Sequence, residues 1–306
     1  MPAPPGAAPA VAGGAFAQSP QEVRSMSYKS LLVHVDDRPS TEARLDVARM
    51  LQERFDAHLT AVYLSVDVVM PGYMMEHVPS SVLEAAAEER KKQAKLRLAE
   101  IDTMLKRRHM TVEMRSESVI ATDYIDRVAL HARYADLTIL GQPEPGTDDA
   151  GDLLIEETMF GAGRPVLVVP YIGLPKGGKV GSKVLAAYDG GREATRALVD
   201  ALPMLKTADT VKLLVINPKP GRHGEAPGHD MARYLARHGV KVEVAVEKMS
   251  TSDVGIGDAV LNHVAENDID LLVMGAYGHS RLRELVLGGV TRHIMGHMTV
   301  PVLMSH

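Results

Sequence analysis

Four glycines near the carboxyl terminus, Gly275, Gly278, Gly288 and Gly289, stand in a stretch whose residue types suit it to holding an anion. The apolar run from Leu271 to Met274 stops at Gly275, and Gly278 follows after two intervening residues. Gly288 and Gly289 follow after nine more, just before a helical pattern. A strand that ends in a glycine loop and passes into a helix start presents backbone N–H groups without intrahelical partners. Glycine lets those groups approach a ligand closely, so the arrangement suits phosphate oxygens. Two other patterns are weaker. His293 and His297, four apart on one helix face, have metal-ligand spacing, but Ile294 replaces the glutamate of an HExxH site and no third ligand accompanies them. Gly173-x4-Gly178-Lys179 approximates a Walker A phosphate loop, but Val180 stands where Ser or Thr is needed, and a strand follows instead of a helix. No metal site is assigned.

The elements that position these residues alternate along the chain. A strand over SLLVHV ends at Asp36, and Ser40 or Thr41 caps a helix with apolar positions at Ala43, Val47, Met50 and Leu51. Strand HLTAVYL follows, then an apolar loop, Val68 to Met75, whose methionines and His77 fit core packing or a subunit contact better than a soft metal. A long helix over 80–108 shows a solvated charge run, EERKK. Strand TVEMRSES, a helix from Asp123 to Arg133, strand ADLTILG and strand PVLVVP complete the first half. The pattern then repeats: KVLAAYDGGREATRALVDALPML parallels SLLVHVDDRPSTEARLDVARML, DLLVMGAYG parallels DLTILGQPE, and PVLM parallels PVLV. Alternating strands and helices predict an α/β fold with parallel sheets covered on both faces. The expected division is a disordered extension over 1–25, a first domain over 26–170, a linker over 171–181 and a second domain over 182–306. The extension is rich in Ala, Pro and Gly; Ala15-Phe16-Ala17 imitates a signal-peptidase site but lacks a basic region before it.

The spacing Gly275-x2-Gly278-x9-Gly288 resembles the nucleotide-binding motif of the universal stress protein family, in which the last glycine is normally followed by Ser or Thr; here Gly289 takes that place. The resemblance covers the second half well and the first more loosely. It implies two tandem doubly wound five-stranded domains, Rossmann-like with strand order 3-2-1-4-5, and a pseudo-dimer or homodimer joined through the last strands. It also implies an adenine nucleotide, ATP with or without Mg2+, in the second domain. Asp189 would then lie on the ribose or adenine side, the backbone of Ile216 and Asn217 near the adenine, and Gly275, Gly278, Gly288, Gly289, Val290 and Thr291 around ribose and phosphates. His279, with Arg281 and Arg283, is placed to meet phosphate charge. Asp189 has a second reading, as a cap for the helix beginning near Arg192. In the first domain the residues after Gly141 include Asp148, Asp149 and Asp152 where phosphates would lie, so that site is expected to be closed to nucleotides.

Composition narrows the functional classes. The 306 residues, 45% hydrophobic, suffice for two packed cores, and a formal charge of −5 without a basic, aromatic-interleaved patch argues against nucleic acid. There are no cysteines, which excludes disulfides and thiolate chemistry and is compatible with a cytoplasmic protein. No run approaches the ~18 apolar residues of a membrane span. No nucleophile elbow, acid/base carboxylate pair or kinase signature is present, so no catalytic residue is assigned. Three classes remain: a nucleotide-binding stress regulator, a nucleotide-free interaction scaffold, and a weak ATPase.

Overall fold

The computed structural model describes residues 27–67, 79–144, 146, 151–174, 178–218, 226, 228–250, 255–276 and 289–306. The N-terminal extension, the methionine-containing loop, Asp148, Asp149, Gly278, His279 and Gly288 lie outside the described residues. The first half contains β1 (Ser30–Val35), α1 (Thr41–Phe55), β2 (His58–Asp67), α2 (Ser80–Arg107), β3 (Glu113–Ile120), α3 (Tyr124–Ala132), β4 (Leu137–Gly141), α4 (Gly151–Ala162) and β5 (Val166–Val169). The second contains β6 (Lys183–Ala187), α5 (Arg192–Asp200), α6 (Leu202–Lys206), β7 (Thr210–Ile216), α7 (His229–Arg237), β8 (Val242–Glu247), α8 (Ile256–Glu266), β9 (Leu271–Gly275), α9 (Gly289–His297) and β10 (Val302–Ser305).

The strands form a single ten-stranded sheet in the order β3-β2-β1-β4-β5-β10-β9-β6-β7-β8. Each half therefore shows the order 3-2-1-4-5, with parallel pairing inside it. The halves meet where β5 and β10 run antiparallel, Leu303 opposite Leu167. The short apolar strands explain this arrangement: Val166–Val169 and Val302–Ser305 are buried throughout, and each would be an unpaired edge without the other. Alternate residues feed two cores. Leu31, Val33 and Leu303 pack with α1, α2, α5, α6 and α7, whereas Leu32, Val302 and Met304 pack with α3, α4, α8 and α9.

Side-chain bonds reinforce the junction. Gln142 Nε2 donates to the Met295 carbonyl at 2.7 Å and its Oε1 accepts from the Tyr171 N–H at 3.1 Å. Tyr28 donates to the Asp200 carbonyl at 2.8 Å, and Arg54 donates to the carbonyls of Val180 and Gly181 at 2.7 and 3.1 Å.

Local expectations are corrected in three places. Ser40 stands at the N-cap of α1 but makes no capping hydrogen bond: its hydroxyl donates to Glu144, and Thr41, inside the helix, donates to Asp36. Strand β3 lies two residues later than its alternation suggests, because its register against β2 runs from Thr60 opposite Glu113 to Asp67 opposite Ile120. The acidic stretch after Gly141 leads into a helix, α4, with Asp152 in its first turn, where a negative charge meets the helix dipole favourably.

Candidate functional site

In the second half the strand order reverses between β6 and β9, which lie side by side with Ala187 opposite Met274. Their carboxyl ends diverge into different connections, and a crevice opens there for the topological reason general to doubly wound sheets. The cleft measures about 260 Å³, just below the roughly 300–1,000 Å³ usual for small-molecule sites. Leu214, Ile216, Val260, Met274 and Ile294 form apolar walls; Asp189, Glu193, Gly275 and the start of α9 supply the polar groups. An apolar slot with a few polar groups at its ends suits a flat ring carrying a polar substituent.

The structure thus brings together Asp189, Ile216, Gly275, Gly289, Val290 and Thr291 around one cleft. Asn217 is not among the cleft residues: it adopts φ 49°, and its Oδ1 accepts from the Met249 N–H at 2.9 Å, tying the ends of β7 and β8. Asp189 is exposed and does not cap α5, whose N-cap is Gly191; its Oδ1 accepts from the Gly191 N–H at 2.8 Å and shapes the turn. Glu193 was not singled out by sequence; its only signal is a carboxylate four residues after Asp189. It is 8% exposed, and its Oε1 accepts from Arg192 Nε at 2.5 Å. Burial raises its pKa, but the Arg192 bond and its own backbone N–H outweigh that and hold it below the ordinary glutamate value.

The glycines play distinct parts. A Cβ on Gly275 would stand 2.3 Å from the Ala194 nitrogen and 2.6 Å from the Glu193 carbonyl carbon, so this glycine lets the first turn of α5 lie on the end of β9. A Cβ on Gly289 would meet no described residue within 4 Å. The described part of α9 runs from Gly289, and its residues Gly289, Val290 and Thr291 line the cleft.

The corresponding place in the first half is filled from within. Arg44, 2% exposed, forms a close ion pair with Asp36, the repeat counterpart of Asp189, and donates to Thr41 at 2.7 Å. Its Nη1 lies 3.2 Å from His34 Nδ1, and His34 Nε2 lies 2.7 Å from Tyr124 Oη. The Arg44 chain passes 3.3 Å from the Cβ position of Gly141, the counterpart of Gly275. Burial, then Arg44, lowers the His34 pKa to about 4, so the imidazole stays neutral. Burial raises the pKa of Asp36, but Arg44 outweighs it and keeps the carboxylate ionised. What occupies this crevice is therefore an arginine–aspartate network, a feature the reading of the acidic loop did not anticipate.

Of the other patterns, His293 and His297 stack at 4.4 Å; His293 Nε2 lies 2.8 Å from Asp258 Oδ1, and His297 Nδ1 lies 2.9 Å from the His293 carbonyl. Among the described residues no three His, Cys, Asp or Glu side chains cluster as metal ligands, and no helix is long and apolar enough to cross a membrane. Gly178 and Lys179 run directly into β6, with no helix start for a phosphate.

Comparison with known proteins agrees with this geometry. Residues 182–306 match the sequence model of the universal stress protein family, so the second half is a universal stress protein domain. A Synechocystis universal stress protein is 31% identical over 136 residues, which is 44% of this chain and 46% of that relative; the match spans about half the length of each. A universal stress protein structure from Archaeoglobus fulgidus superposes with TM-score 0.68 at 14% identity, covering 90% of this chain and 97% of that one. A functionally unknown protein from Pseudomonas aeruginosa superposes with TM-score 0.56 at 16% identity, covering 91% and 92%. These two likenesses show a shared fold over both halves.

Proposed function

We propose that the protein is a stress-response regulator that binds one adenine nucleotide, ATP, in the cleft of its second half. The observation that carries this reading is an apolar switch-point cleft, lined by Gly289, Val290 and Thr291 at one end, inside the segment that matches the universal stress protein family. The base would lie against Leu214, Val260 and Met274, and the phosphates would face the first turn of α9 and the glycine loop that precedes it. Two domains, 26–170 and 182–306, joined by a linker over 171–181, give one nucleotide-binding and one plugged unit, in a cytoplasmic protein. The cleft residues offer a binding site without an assigned catalytic base, so binding and release, with or without Mg2+, would be the regulatory event and hydrolysis at most slow.

Mass spectrometry of small molecules released from the purified protein tests this, together with calorimetric titration of ATP. An adenine nucleotide at up to one per chain is expected. No nucleotide in the preparation and no binding at millimolar ATP would favour the nucleotide-free scaffold. Magnesium-dependent phosphate release, lost on changing Gly278, would favour the ATPase.

A further inference from the structure

Helices α4 and α9 occupy equivalent places in the two halves, yet their carboxyl ends are held differently. The repeated PVL strands set Met159 of α4 opposite Met295 of α9. In α4 the Met159 carbonyl accepts from the Gly163 N–H at 3.0 Å, in the turn that closes the helix. In α9, which stops at His297, the Met295 carbonyl lies in the last turn, where carbonyls lack intrahelical donors. Its donor comes from the other half: Gln142 Nε2, at 2.7 Å. The repeat places Ala276 opposite Gln142, and the two backbones behave alike. The Gln142 N–H donates to the Val169 carbonyl at 2.8 Å, and the Ala276 N–H to that of Ser305 at 3.0 Å. Alanine has no amide with which to reach across the junction. What α4 receives in return is a ring contact, Phe160 against His306 at 4.3 Å, made to its side chain.

The brace is stiff at its own end. Gln142 is 3% exposed, and its Oε1 accepts from the Tyr171 N–H at 3.1 Å, so both ends of the amide are engaged and the side chain has one place to lie. Its grip falls next to the cleft: Met295 directly follows Ile294, which with Val290 and Thr291 forms the α9 side of the wall. Thr291, Ile294 and Met295 are the buried face of that helix, so a displacement at Met295 moves the wall with it. We propose that Gln142 is a positioning residue for the cleft of the second half: from the plugged half it sets the place of α9, and so the fraction of molecules whose cleft is ready for a nucleotide. This rests on the nucleotide reading given above. It gives the first half a part in binding even though Arg44 fills its own crevice.

Two variants of the full chain test the assignment. Gln142→Met keeps the length of the side chain and removes the amide. Losing one buried bond that holds α9 in its binding-competent place predicts ATP binding weaker by about three- to tenfold in calorimetry. Amide hydrogen exchange over α9 should quicken without ligand and slow again at saturating ATP. Should Gln142→Met fail to fold, Gln142→Asn, whose amide stops one methylene short of Met295, carries the same expectation. Arg54→Met is the control: it removes a different tie between the halves, donation to the Val180 and Gly181 carbonyls just before β6, at the opposite ends of the strands from the cleft. It should lower the unfolding midpoint and leave ATP affinity and α9 exchange unchanged. Wild-type affinity in the Gln142 variants makes the bond structural only and overturns the proposal while the nucleotide function stands. An equal loss of affinity in Arg54→Met would mean that any loosening of the junction weakens binding, and overturns it likewise. Failure of the wild type to bind at millimolar ATP overturns the function itself and this assignment with it.

Discussion

Three glycines test whether the structure assigns the right job to each. Gly275→Ala places a methyl group 2.3–2.8 Å from backbone atoms of Glu193 and Ala194, and backbone cannot swing aside as a flexible side chain can. Either the first turn of α5 lifts off β9 or the strand end shifts, and overpacking against an unyielding neighbour costs about 3 kcal/mol. For a chain of this size that corresponds to a fall of roughly 6–12 °C in the unfolding midpoint. Gly141→Ala meets Cδ, Nε and Cζ of Arg44 at 3.3 Å, contacts that a few tenths of an ångström relieve, so about 1 kcal/mol is expected. Gly289→Ala meets no described residue within 4 Å, and restricting the unfolded chain should leave the protein unchanged or up to about 1 kcal/mol more stable. Urea unfolding of the three variants beside the wild type gives the order directly. If Gly289→Ala is as damaging as Gly275→Ala, or Gly275→Ala is neutral, the inferred approach of α5 to β9 is wrong.

Replacing Arg44 by Met strands the Asp36 carboxylate and should destabilise the protein by about 3 kcal/mol, read as a lower urea midpoint. The pH dependence follows from His34. Its folded pKa of about 4 lies below the ordinary value near 6.5, so the unfolded state alone takes up a proton between those pH values. Stability fully present above pH 6.5 is then lost as pH falls towards 4, by about 3 kcal/mol. Denaturation series at intervals across that window should show the slope in the wild type and its loss in His34→Gln. Gly289→Ser adds a hydroxyl where no described residue stands within 4 Å, and one extra bond to a phosphate should tighten ATP by about tenfold in calorimetry. Unchanged affinity would mean that Thr291 already fills that role or that no triphosphate is held.

Much of the sheet is legible because its central strands are apolar runs, with Asp36 directly after β1 and Gly141 and Gly275 ending β4 and β9, and because the second half repeats the first. Both signals come from burial on two faces, which spacing records directly. Helix α4 was hidden because Gly151–Ala162 follows prolines and acidic residues that resemble a loop, while its buried side, Ile155, Thr158 and Met159, is decided by packing against the sheet. The arginine plug left a trace that was missed: Arg44, Ala48, Leu51 and Phe55 form one helical stripe, and all four are buried. A charge on such a stripe demands a buried partner, but only the fold shows that the partner is Asp36. Gly275 and Gly289 are indistinguishable as letters. Gly275 is required by the backbone of α5's first turn, some eighty positions away, whereas Gly289 has no described residue within 4 Å of a Cβ, a difference invisible to spacing. Glu193 is hidden for a related reason: in the sequence it is a first-turn helix acid, and only the fold sets it against the end of β9 at the cleft.

The stoichiometry of ATP binding to the full chain follows from the two crevices, one open in the second half and one filled by Arg44 in the first. Calorimetric titration should give one nucleotide per chain. Two nucleotides per chain would show that Arg44 does not close the first half, and no heat at millimolar ATP would remove nucleotide binding from the account altogether.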